Sequence, residues 1–155
     1  MQIQVDSREK SHAIGNILRH FDENGIQHFV SKLPVGDYIS LDNARLSIDR
    51  KANLQELCTN IAQDHTRFIT ELYRATSLGI RLIILCEHGP SIKTLEDVRS
   101  WENPRLRTSP RAMTGEKLYK AIRTISCRHG VEFFFCNKSE TGAKIVELLG
   151  GERNG

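Results

Sequence analysis

The chain has 155 residues, 39% of them hydrophobic and 26% charged, with a formal net charge of +3. That length holds one domain with a core of its own, and the composition is that of an ordinary globular protein rather than a disordered one. The small positive charge allows a polyanionic partner without requiring one. Its distribution says more, because residues 99–128 hold eight Lys or Arg against two Glu.

Taken in order, Met1 to Val5 alternates apolar and polar residues and reads as a strand that delivers Asp6 at its end. Ser11 is the expected N-cap of a helix carrying Ile14, Ile17, Leu18 and Phe21, with Gly25 at the position past its end. His28 to Val30 and Val35 to Ile39 read as short strands, and Leu46-Ser47-Ile48 leads into Asp49, so that a β-meander is expected. After Lys51 the period changes from 2 to 3.6. Leu54, Leu57, Cys58 and Ile61 share one helical face, and a second helix starts near Asp64 and ends before Gly79.

Ile80 to Cys86 is nearly continuous in apolar residues, as a central strand covered on both faces should be. Thr94 opens a short capped helix, and residues 102–113, with two prolines and three arginines, read as a mobile loop. Leu118, Ala121, Ile122 and Ile125 mark another helix, stopped by Gly130; Val131 to Cys136 is a second buried strand; Ser139 caps a last helix. The expectation is an α/β sandwich around a mixed sheet, with one domain over residues 1–149 and a flexible tail over 150–155.

The four cysteines, Cys58, Cys86, Cys127 and Cys136, show no CxxC pair and no zinc-ligand spacing with the six histidines. Free thiols in a reducing interior follow, with Cys86 and Cys136 as small buried hydrophobes. No apolar stretch approaches the roughly 20 residues that span a bilayer, and the chain opens on a strand pattern rather than a signal sequence. No membrane contact and a cytoplasmic location are therefore expected.

The chemistry concentrates at Val35-Gly36-Asp37-Tyr38 and Ile48-Asp49-Arg50-Lys51. Asp42-Asn43 between them is turn-rich, and a hairpin would set Asp37 beside Asp49 on neighbouring strands. Lys51 follows Asp49 at i+2, so in a strand both point to one face. Two hard oxygen ligands suit Mg²⁺ or Mn²⁺, and an adjacent ammonium can position a water. This outlines a metal-dependent phosphodiesterase site. Taken alone, the bare spacing reads more simply as a solvated hairpin edge carrying a surface ion pair.

Val5-Asp6-Ser7-Arg8-Glu9 adds a third element, and the three together resemble the nuclease domain of the XPF family of structure-selective DNA endonucleases. That family is a branch of the restriction-endonuclease-like superfamily; its pattern is a VDxRE-like strand end, then GDY, then ERK. The resemblance runs from about Ile3 to Leu149. It implies a restriction-endonuclease-like mixed β-sheet flanked by helices, and a metal-dependent DNA endonuclease acting on branched or flapped DNA in repair or recombination. Residue by residue it implies Asp37 and Asp49 as principal Mg²⁺ or Mn²⁺ ligands, Lys51 as the catalytic lysine, and Asp6 and Glu9 completing the acidic cluster. Arg8 and Arg50 would hold that network or a phosphate.

Two departures stand out: the ERK acid is Asp49 here, and the position four residues after the lysine, acidic in the family, is Gln55, with Glu56 next to it. The tandem helix–hairpin–helix module often paired with this domain does not fit within the chain, so a stand-alone prokaryotic or phage domain is expected. The family's habit also implies a homodimer. A catalytically silent DNA-binding scaffold subunit is the rival reading, and retention of Asp6, Glu9, Asp37, Asp49 and Lys51 speaks for the enzyme; an RNA-directed or sequence-specific nuclease on the same fold is a third.

Outside the motifs, Arg67, Arg105, Arg107 and Arg111 are candidate DNA contacts, Arg67 with a solvent-facing role as its simpler explanation. Lys117, Lys120 and Arg123 read as a solvated helix face, and His65 and His88 as incidental.

Overall fold

A computed structural model describes residues 1–150 of the chain. Its strands are β1 (Gln2–Val5), β2 (Gln27–Val30), β3 (Tyr38–Ser40), β4 (Asn43–Lys51), β5 (Arg81–His88) and β6 (Glu132–Asn137). They form one sheet in the order β2-β1-β3-β4-β5-β6. β3 is antiparallel to both β1 and β4, whereas β1–β2, β4–β5 and β5–β6 are parallel. All strands but β3 therefore run the same way, and their carboxyl ends form one rim.

The helices are α1 (Gly15–Glu23), α2 (Leu54–Ala62), α3 (His65–Ser77), α4 (Leu95–Val98), α5 (Gly115–His129) and α6 (Thr141–Gly150). They cover both faces, as the apolar run of β5 requires. Leu82, Ile84 and Cys86 of β5 pack with Leu54 and Leu57 of α2, Phe68 and Leu72 of α3, and Leu118 and Ile122 of α5. The alternate residues Ile83 and Leu85 pack on the other side with Ile17 and Phe21 of α1 and Ile145 and Leu148 of α6. The period of 2 along the strand thus divides the core into two layers.

Several local expectations need correction. The three strands before Lys51 are not a simple meander: β2 pairs in parallel with β1, so β1 lies between β2 and β3. The polypeptide between β1 and β2 is a helix, and a helical crossover returns the chain in parallel where a tight turn would return it antiparallel. Val35 and Gly36 precede β3 rather than forming part of it. Gly36 sits at φ +76°, in the left-handed region that interrupts a strand, and a Cβ there would collide with Ser47 Oγ.

Ser11 begins a single 3-10 turn, and α1 starts after Ile14 without a side-chain cap. Ser139 likewise lies in a 3-10 turn, ahead of α6. The segment read as a mobile loop contains a 3-10 turn, Pro104–Arg107, and is tied by buried Asn103. Asn103 accepts the Arg105 N–H at 3.1 Å and donates to the Met113 carbonyl at 2.9 Å. Thr94 does form a capping box with Asp97. All four cysteines are free, with Cys86 and Cys136 buried. No helix among the described residues is long and apolar enough to cross a membrane. Of the expected tail, Gly150 closes α6 and residues 151–155 lie outside the described residues.

Candidate active site

The three sequence elements meet at the carboxyl rim, where open α/β sheets place ligand sites. The reversed strand β3 brings its amino end to the same rim. The Asp6 N–H donates to the Asp37 carbonyl at 2.8 Å, and the Asp37 N–H donates to the Ile48 carbonyl at 2.7 Å. The VDSRE, GDY and DRK segments are therefore stitched by backbone before any side chain is considered.

Strand alternation then divides the side chains. Ile48 faces the α1–α6 layer, so Asp49 and Lys51 face α2 and α3 while Arg50 points the other way. Asp49 and Lys51 are 6% and 8% exposed, with Lys51 Nζ 3.3 Å from Asp49 Oδ2. Asp37 lies beside Asp49, and its Oδ2 accepts the Arg50 N–H at 2.8 Å. Burial first, then the charges of Asp49 and Glu9, push the Asp37 carboxyl well above the usual carboxylate range. Burial alone would lower the Lys51 ammonium, but Asp49, Glu56 and Glu71 more than offset it, so the lysine is held charged.

On the opposite face Arg50 is the centre of a buried network. Its guanidinium donates twice to Glu9, at 2.7 and 3.2 Å, and once to Glu87 at 2.5 Å. The Tyr38 hydroxyl donates to Glu9 at 2.7 Å, and burial and Glu9 together raise its pKa so that it stays a donor. Asp6 is fully buried and engages both oxygens, Oδ1 from the Leu33 N–H at 2.8 Å and Oδ2 from Arg8 N and Nε at 3.1 and 2.6 Å. Burial would raise its carboxyl; the hydrogen bonds from Arg8 and Leu33 hold it below the usual range. Asp6, Arg8, Glu9 and Arg50 thus engage one another and their neighbours, and fix the frame around Asp37, Asp49 and Lys51.

A cleft of about 250 Å³ opens beside Lys51, lined by Glu56, Asn60, Asp64, Arg67, Phe68 and Glu71. The Lys51 ammonium stands 5.7 Å from the Phe68 ring centroid. Arg67 is exposed and borders this cleft. Arg105 and Arg111 line a separate pocket with Gln55, Thr59 and Gln63, and Arg107 is exposed on the same loop.

Glu87 and Glu71 are site residues that sequence reading passed over. Glu87 had a signal, a carboxylate closing an otherwise apolar central strand. Glu71 had none, since a Glu between Phe68 and Leu72 looks like any solvated helix position. Glu56, one position past the family's expected acid, accepts the Ala52 N–H at 2.6 Å and faces the cleft.

The donor set suits a hard cation. Half-buried Asp37 and buried Asp49 stand side by side, and Asp49 Oδ2 has the Lys51 ammonium at 3.3 Å as its neighbour. Among the described residues no three His, Cys, Asp or Glu are grouped so as to enclose a metal. Mg²⁺ commonly takes one or two carboxylates and completes its shell with water and phosphate.

A family model described as the ERCC4 domain matches residues 5–149. The chain belongs to the ERCC4 domain family. This ERCC4 domain superposes on XPF from Aeropyrum pernix with a TM-score of 0.65, at 21% identity over 96% of its length. The same archaeal protein in complex with DNA gives a TM-score of 0.66, also at 21% identity over 96% of the chain. The chain spans 63% and 62% of those two chains. A comparison with curated proteins finds no match. The shared fold confirms the mixed sheet flanked by helices that the motifs implied.

Proposed function

We propose that this ERCC4 domain is a divalent-metal-dependent endonuclease that hydrolyses phosphodiester bonds in DNA, with branched or flapped DNA as its substrate. The observation that carries this reading is the adjacent Asp37–Asp49 pair, half-buried and buried, with the Lys51 ammonium 3.3 Å from Asp49. Asp37 and Asp49 would hold Mg²⁺ or Mn²⁺, which when bound supplies Lewis acidity toward the scissile phosphate and lowers the pKa of an attacking water.

The chain's own residues do the rest. Lys51, kept charged and aligned over Phe68, binds a phosphate oxygen or orients the water. The Arg50–Glu9–Glu87 network fixes β4 against β1 and β5, so that Asp49 and Lys51 hold their spacing. Asp6 does the same for the loop entering β3. Arg67, Arg105, Arg107 and Arg111 contact phosphates flanking the cut. A homodimer and a cytoplasmic location belong to the same proposal. Sedimentation tests the dimer.

The test of function is cleavage of matched linear, flapped, junction and RNA substrates with Mg²⁺, Mn²⁺ or chelator. Metal-dependent cutting of flapped or junction DNA ahead of the linear and RNA forms is expected. Binding without cutting under every condition would transfer the account to a silent DNA-binding subunit.

A further inference from the structure

Helix α5 carries four cations that the site above does not use. Lys117, Lys120, Arg123 and Arg128 are all exposed, and their spacing places them along one side of the helix. Arg99 beside them is neutralised twice, by Glu96 and Glu116. The four cations of α5 make no ion pair among the described residues. Lys120, Arg123 and Arg128 line a groove of about 640 Å³ together with Thr124 and Cys127. Glu116 also lines the groove but is engaged by Arg99, so the groove keeps an excess of positive charge, which attracts a polyanion.

The stripe is tied to the catalytic rim. Gly115, which opens α5, lies against the carbonyls of Val98 and Trp101 so closely that a Cβ would not fit. Trp101 stacks edge-on against His88 with centroids 6.0 Å apart, and His88 Nδ1 accepts the Leu54 N–H three residues beyond Lys51. The cations then run away from the rim. At about 1.5 Å per residue, Lys117 to Arg128 covers roughly 16 Å. A duplex presents a phosphate charge about every 1.7 Å of axis, so this length can follow several phosphates in succession. Tyr119 is a largely buried part of the groove's lining, and its hydroxyl donates to Glu96 at 2.9 Å.

We propose that the groove along α5 is a second DNA-backbone site, holding an arm of the substrate that leaves the catalytic rim. The inference rests on the reading of the domain as a DNA nuclease. It is tested in the full chain by Lys120→Gln/Arg123→Gln, with Arg19→Gln on α1 as a control on the other layer. Binding of labelled forked DNA and of a short single-armed duplex is measured in chelator across a salt series, beside Mn²⁺-dependent cleavage of the short duplex.

Loss of two phosphate contacts is expected to flatten the log–log salt slope for forked DNA by about 1.8, at ~0.9 per contact. The short duplex should be bound and cut as by the parent, and unchanged thermal unfolding confirms the fold. If the parent cuts DNA and the double variant keeps its slope on forked DNA, the groove assignment falls and the nuclease reading stands. If the parent neither binds nor cuts DNA, both fall. If the double variant instead abolishes self-association seen in the parent by sedimentation, the groove is an interface between copies and the assignment is overturned.

Discussion

Asp49 and Arg50 are adjacent in sequence and serve opposite faces of the sheet: Asp49 joins Lys51 beneath α2 and α3, while Arg50 binds Glu9 and Glu87. A single strand thereby builds both the proposed reactive group and its support. The two faces remain coupled, because the Arg50 N–H donates to Asp37 and the Glu9 charge raises the Asp37 pKa.

Removing the support should cost stability first. Arg50→Gln leaves Glu9 and Glu87 as buried carboxylates without their cation, and breaking such a pair costs about 3–5 kcal/mol. Urea unfolding should show that loss. A second substitution, Glu87→Gln, should recover part of it, because one stranded charge is then gone.

The reactive pair should behave in the opposite sense. Asp37 has its pKa pushed above the ordinary 3.8 by burial and by Asp49. Between its unfolded and folded pKa the folded state binds more protons, so stability falls as pH rises through that window and the penalty is complete above the folded value. Asp37→Asn should therefore raise the melting temperature in chelator near neutral pH, with the gain vanishing toward about pH 4. A constant difference across pH would contradict the crowding of the two carboxylates.

Asp6 has the reverse sign. Its carboxyl is held below 3.8, so its contribution is fully present above that value and is lost as pH falls through the folded pKa. Asp6→Ala also strands the buried Leu33 N–H, at a cost of about 1–3 kcal/mol. Thermal unfolding near neutral pH should show the loss, and acidification should shrink the difference from the parent.

Gly36→Ala tests the turn that delivers Asp37. The left-handed backbone costs an L-residue about 1–2 kcal/mol, and the new Cβ must displace Ser47. Both stability and cleavage should fall, because the Ser47 hydroxyl ties the Val35 carbonyl to β4 at 2.9 Å. Unaltered unfolding would show that the turn can relax.

Much of this was legible in the sequence because it rests on short-range geometry. The i+2 spacing of Asp49 and Lys51 put them on one face, a hairpin set Asp37 beside them with its turn at Leu41-Asp42, one residue before the expected Asp42-Asn43, and the unbroken apolar run of β5 announced helices on both sides. Features that failed to show depend on distant pairing. Nothing local in Gln27–Val30 says that it lies outside β1 rather than beside β3. Asn103 looked like one more polar loop residue, yet its two hydrogen bonds order the basic segment. Glu71 reaches the site only because α3 packs over β4 and β5.

The most direct measurement is single-turnover cleavage of a labelled flapped duplex with Mn²⁺ by the parent, Asp37→Asn and Lys51→Ala proteins, each shown to be folded. Cutting by the parent that drops by at least about 100-fold in both variants, the scale on which one transition-state contact acts, is the expected result. Undiminished cutting by either variant would contradict the assignment of the Asp37–Asp49–Lys51 group as the reactive centre.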